Sequence, residues 1–102
     1  MPKCKSDEVI AYIAENFGKR LQTAKAIEEC SEASTELARA LLADLNGEEP
    51  NKEAIAEELA DAQIMIEQMI YLYDIGGKVD KSRTYKLIRT LGLMEGENAG
   101  KR

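Results

Sequence analysis

Residues 27–41 read IEECSEASTELARAL and residues 55–69 read IAEELADAQIMIEQM, and the fold turns on how these two stretches are read. In the first, Ile27, Ser34, Leu37, Leu41 and, just beyond it, Leu45 recur at helical spacing. In the second, Ile55, Leu59, Ala62, Ile66 and Met69 do the same and lead on to Tyr73. Each stretch predicts a long helix with an apolar stripe. Between them, Asn46-Gly47 is a left-handed stop signal, and Pro50-Asn51 supplies a start at which Asn51 caps. So short a connection, Gly47 to Asn51, turns the two helices into an antiparallel hairpin.

The hairpin needs more neighbours than it contains. From Ala62 to Leu72 only Gln63, Glu67, Gln68 and the hydroxyl of Tyr71 interrupt an apolar surface, so this stretch is expected to pack on several partners, a second subunit among them. A shorter helix precedes, capped by Ser6, carrying Val9, Ile10, Ile13 and Phe17, and ending near Gly18. Gly76-Gly77 is expected to end the third helix. A fourth, basic helix then runs from Asp80 to Leu91 with Lys81, Arg83, Lys86 and Arg89, and stops at Gly92. The expectation is an all-α helical bundle, one domain over residues 1–94 with a flexible tail over 95–102, completed by oligomerisation.

The chain has 102 residues, 44% of them hydrophobic, which suits one small domain. Its 14 basic and 19 acidic residues give a net charge of −5, the wrong sign for a general binder of nucleic-acid polymers. An anionic substrate would need a bridging cation. No apolar run reaches the roughly 20 residues of a membrane span, and Met1 to Asp7 lacks the apolar core of a signal peptide. Cys4 and Cys30 make neither a CxxC pair nor a disulfide framework, so a cytoplasmic protein is expected.

There is no histidine. This removes the usual general base, the commonest zinc ligand and the base of nucleophilic triads, and it excludes the Glu-x-x-His pairs of di-iron bundles. Any chemistry must rest on carboxylates, and these are grouped. One long helix carries Glu28-Glu29-Cys30-Ser31-Glu32 and the other Glu57-Glu58-Leu59-Ala60-Asp61. Residues three apart are neighbours on a helix surface, so Glu29 with Glu32, and Glu58 with Asp61, set like charges side by side.

Glu58 and Asp61 fall in line with Ala54, Met65, Met69 and Leu72, and Glu29 and Glu32 share a face with Glu36, Ala33 and Ala40. Four carboxylates without histidine or paired thiolates form a hard oxygen site suited to Mg²⁺, or to Mn²⁺ in its place. The competing reading of each pair is a solvated helix face. Glu28, Glu36 and Glu57 are secondary candidates. Lys25, one turn before Glu29, is a phosphate-binding candidate whose competing reading is a helical Lys–Glu ion pair. Lys86 and Arg89 are further substrate-binding candidates, and Gln22 and Tyr12 are candidates for a base or sugar.

Glu29-x-x-Glu32 followed, after residues 33–57, by Glu58-x-x-Asp61 resembles the bipartite signature of the MazG-like all-α nucleoside triphosphate pyrophosphohydrolases, and the two quoted stretches resemble that family's long helices. The likeness spans about Gly18 to Tyr73 and covers a single such module. It implies Mg²⁺-dependent cleavage of a nucleoside triphosphate between the α and β phosphates, giving a monophosphate and pyrophosphate. It also implies metal binding by Glu29, Glu32, Glu58 and Asp61, and a homodimer or homotetramer. The alternatives are a non-catalytic oligomeric helical interaction protein and a nucleotide-binding regulator.

Overall fold

The structure is a computed structural model that describes the backbone of residues 6–100 and the side chains of residues 6–97; Cys4 and the rest of residues 1–5, with residues 101–102 of the expected tail, lie outside the described residues. Four helices follow one another: α1 (Ser6–Phe17), α2 (Lys19–Leu45), α3 (Lys52–Leu72) and α4 (Gly76–Gly100). Among the described residues there is no strand, so the fold is all-α.

Local chemistry accounts for the joints. Gly18, at φ 87° and ψ 162°, is the only residue between α1 and α2. That conformation is essentially restricted to glycine. At the end of α2, Glu48 N–H donates to the Ala43 carbonyl (2.8 Å) and Gly47 N–H to that of Asp44 (3.0 Å), with Gly47 left-handed at φ 71°. This is the paired-bond glycine stop that Asn46-Gly47 predicts. The Asn51 side chain accepts from Ala54 N–H at 3.1 Å, as expected of a cap.

The third helix ends earlier than expected. The same paired bonds recur from Ile75 N–H to the Ile70 carbonyl and from Asp74 N–H to that of Tyr71, with Asp74 left-handed at φ 52°. Aspartate tolerates that conformation because its short polar side chain bonds locally. Gly76 and Gly77 therefore open α4 instead of closing α3. α4 also begins before Asp80 and continues through Gly92 and Gly96 to Gly100, with no break after residue 94. A glycine inside a helix weakens it by about 1 kcal/mol without ending it.

α2 and α3 pack antiparallel along their length, α1 lies mainly on α3, and α4 touches only α3. The buried face of α2 is Gln22, Ala26, Glu29, Ala33 and Glu36. It is not the predicted stripe: Ile27, Ser34, Leu37, Leu41 and Leu45 are all exposed. The small Ala26 and Ala33 let α3 approach closely, and the leucine side of the helix is left without a partner among the described residues. On α3, Ala62, Met65 and Gln68 are buried and Ala54, Met69 and Leu72 half-buried, while Leu59, Ile66 and Tyr73 are exposed. Gln22 Nε2 donates to Gln68 Oε1 at 2.7 Å across the buried interface.

The molecule is elongated, 54 × 36 × 31 Å, with a radius of gyration of 17.9 Å. A compact chain of this length would have about 13 Å. Among the described residues no helix is long and apolar enough to cross a membrane.

Candidate metal centre

Glu29 and Glu32 stand on successive turns of α2, and the antiparallel pairing brings Glu58 of α3 opposite them. One carboxylate oxygen from each lies within 4.8 Å of the other two. Glu29 is buried, Glu58 half-buried and Glu32 exposed, so the group opens to solvent on one side. Glu29 Oε2 and Glu58 Oε2 are both shielded from solvent and have no hydrogen-bond partner among the described residues. A buried polar atom without a partner is costly, and more so when charged.

Neighbouring charge offsets this only in part. Lys25 Nζ lies 3.1 Å from Glu29 Oε1 and 3.8 Å from Glu28 Oε1, which is the helical ion pair set against its substrate-binding role. The hydrogen bond to Glu29, with the nearby charge of Glu28, raises the Lys25 pKa above its ordinary value. The Glu32 pKa is raised as well, chiefly by repulsion from Glu29 and then by burial and the charge of Glu58. One lysine thus faces several carboxylates.

The sequence pairs are only partly assembled. Asp61 is exposed and does not join the group of three. Glu36 is buried nearby on α2, where its Oε2 takes a hydrogen bond from Arg39 Nη1 at 3.2 Å. Glu28 sits at the rim with Lys25, and Glu57 is exposed. Gln22 is committed to Gln68, and Tyr12 is 76% exposed. Lys86 and Arg89 lie on the exposed α4, which makes no contact with α2, so a single chain does not bring them to the acids.

An open cleft of about 370 Å³ lined by Phe17, Leu21, Gln22, Ala24, Lys25 and Glu28 adjoins the group through its last two residues. A larger cleft of about 690 Å³ lies elsewhere, between α1, α3 and the start of α4, and contains none of the three clustered acids. There Tyr71 donates a hydrogen bond to Glu15, a contact between residues far apart in sequence that no local pattern announces.

The donor set fits a hard divalent cation. It consists of oxygen alone, two of its residues carry a buried oxygen without a partner among the described residues, and its side at Glu32 is open to solvent. No family model matches this sequence, and neither a curated protein nor a solved structure matches it.

Proposed function

We propose that this chain is a cytoplasmic, Mg²⁺-dependent nucleoside triphosphate pyrophosphohydrolase, cleaving its substrate between the α and β phosphates to a monophosphate and pyrophosphate. The observation that carries the reading is that Glu29 and Glu58, grouped with Glu32 across two helices, each keep a buried oxygen without a partner among the described residues. Acids placed for solubility are fully hydrated and need no such arrangement.

Glu29, Glu32 and Glu58 would hold the ion, with Asp61, one turn beyond Glu58 on an exposed position, completing the set on a change of side-chain conformation. When bound, Mg²⁺ or Mn²⁺ supplies neutralisation of the phosphate oxygens and makes water a stronger acid. The carboxylates of α2 and α3 orient the triphosphate through that shared charge and exclude an unescorted anion by repulsion. Lys25, paired with Glu29 at the rim of the group, would donate to a phosphate oxygen. Lys86 and Arg89 lie on α4, which among the described residues does not touch α2, and have no part in the proposed phosphate site; the proposed assembly remains a homodimer or homotetramer. The cleft beside Phe17 and Leu21 offers apolar walls to a base.

The test is product analysis over canonical and damaged nucleoside triphosphates with Mg²⁺ or Mn²⁺. Pyrophosphate and monophosphate in equal amounts are expected, abolished by Glu29→Gln or Glu58→Gln. Absence of pyrophosphate from every triphosphate would overturn the reading. A second reading, a non-catalytic interaction protein, is favoured by the exposed leucines of α2. It predicts unchanged assembly, and no turnover to lose, in the same two variants. A nucleotide-binding regulator would instead bind triphosphate without product.

A further inference from the structure

α4 is a helix without a core. Its residues 80–97 are all exposed, among them Leu87, Ile88, Leu91, Leu93 and Met94, and among the described helices it touches only α3. Helices in water draw most of their stability from tertiary packing of an apolar face, and this one has almost none. The whole chain exposes 8479 Å². A compact monomer of 11.3 kDa exposes about 5,700 Å². The excess of about 2,700 Å² per chain, or twice that for a pair, is at the upper end of what obligate subunits bury between them.

Charge indicates where α4 goes. Residues 76–94 hold Lys78, Lys81, Arg83, Lys86 and Arg89 against the single acid Asp80, in a chain whose net charge is −5. A groove of about 680 Å³ along this helix has Val79 and Leu87 in its lining, together with the cations Lys78, Arg83 and Lys86 and no acid. The larger cleft between α1 and α3 is its counterpart: among the described residues Ile10, Ile70 and Leu72 form its apolar part, and Asp7, Glu15, Glu67 and Asp74 line it with no cation. The two adjoin at the α3–α4 turn, since Gly76 belongs to one and Ile75 to the other.

We infer that the acidic cleft between α1 and α3 receives α4 of a second copy of this chain, and that the exchange is reciprocal. A two-fold axis near the α3–α4 turn would set each copy's basic helix on the other's acidic cleft, an interface in which one patch is its own complement. Apolar contact from Leu87 and its neighbours would supply affinity, and the opposed charges register and encounter rate. The inference does not depend on the catalytic reading, because it is read out in mass and not in turnover.

The experiment is a charge swap followed by analytical ultracentrifugation at micromolar concentration. One variant carries Lys78→Glu with Arg83→Glu, and the other Asp7→Lys with Glu67→Lys. The parent is expected to sediment as a dimer or a multiple of one. Each variant alone is expected to dissociate roughly tenfold or more readily through like-charge contact, and an equimolar mixture of the two to recover the parent's mass as a mixed species. Circular dichroism checks that both keep their helices. If either unfolds, the parent's salt response decides: weaker association from about 50 mM to about 500 mM NaCl supports the exchange, and indifference to salt overturns it. A monomeric parent overturns the inference. So does a parent that tolerates both reversals but dissociates on Leu41→Glu, which would place the contact on the leucine side of α2.

Discussion

Replacing Glu58 by glutamine removes one charge from the acid group while keeping its shape. Oxygens of Glu58 and Glu29 lie within 4.8 Å of each other. Two like charges at that separation repel by about 1 kcal/mol in bulk water and about 3 kcal/mol at an effective dielectric of 20. Because Glu29 is buried and Glu58 half-buried, the relief on substitution falls between those limits. In EDTA, at fixed protein concentration, Glu58→Gln should therefore melt above the parent, by about 4–8 °C for each kcal/mol gained in a domain of this size. In Mg²⁺ the order should reverse. A cation present at 100 times its dissociation constant stabilises the parent by about 2.7 kcal/mol, and the variant, short of a ligand, gains much less. The assay is a pair of thermal melts, each with and without Mg²⁺, with Glu53→Gln on the exposed start of α3 as control. If Glu58→Gln and Glu53→Gln give the same melting temperature and the same response to Mg²⁺, the reasoning from crowded carboxylates to a cation site fails.

Three further outcomes follow from the geometry. In the metal-free protein, the raised pKa of Glu32 contributes stability that is fully present below the ordinary glutamate pKa and lost as pH rises through the raised value. Subtracting the pH–stability profile of Glu32→Gln from the parent's, in EDTA, should leave a difference that falls with rising pH, and a flat difference would contradict it. Gln68→Leu strands the Gln22 amide and should cost about 1–3 kcal/mol in urea unfolding, whereas Gln22→Leu with Gln68→Leu should recover most of that loss. Gly18→Ala meets no atom within 4 Å of the added carbon, so its cost is backbone strain alone, about 1–3 kcal/mol by the same assay; a neutral result would mean that α1 and α2 can rejoin in another conformation.

The joints of the hairpin were legible in the sequence because they are made by local chemistry. Asn46-Gly47 and Asn51 act on backbone groups a few residues away. The end of α3 was not, because Asp74 took the left-handed position that the nearby Gly76-Gly77 pair advertises. The α2 stripe failed for a different reason. Periodicity in Ile27, Leu37, Leu41 and Leu45 identifies a face that favours burial, but not whether its cover comes from the same chain. Within the chain, the closer approach allowed by Ala26 and Ala33 decided the pairing and carried Glu29 and Glu36 inward. Spacing set Glu29 beside Glu32 and Glu58 beside Asp61, and the likeness to the bipartite signature preferred these four to Glu28, Glu36 and Glu57. The three-residue step from Glu58 to Asp61 makes them neighbours but also rotates the side chain about 60° around the axis, enough to leave Asp61 on the exposed side.

The glutamine pair has a consequence for alignment. An interface floored by alanine is smooth, and smooth helices can slide past one another with little resistance. A slip of one turn would shift α3 by about 5.4 Å along α2, more than the 4.8 Å that now encloses the three acids. The bond from Gln22 to Gln68 is directional and has no equivalent partner one turn away, where Ala26 and Met65 meet the same interface. It therefore works as a detent, in the way that a single buried amide fixes the stagger of a coiled coil. The span between Glu29 and Glu58 is thereby set from two turns away, by side chains that carry no charge.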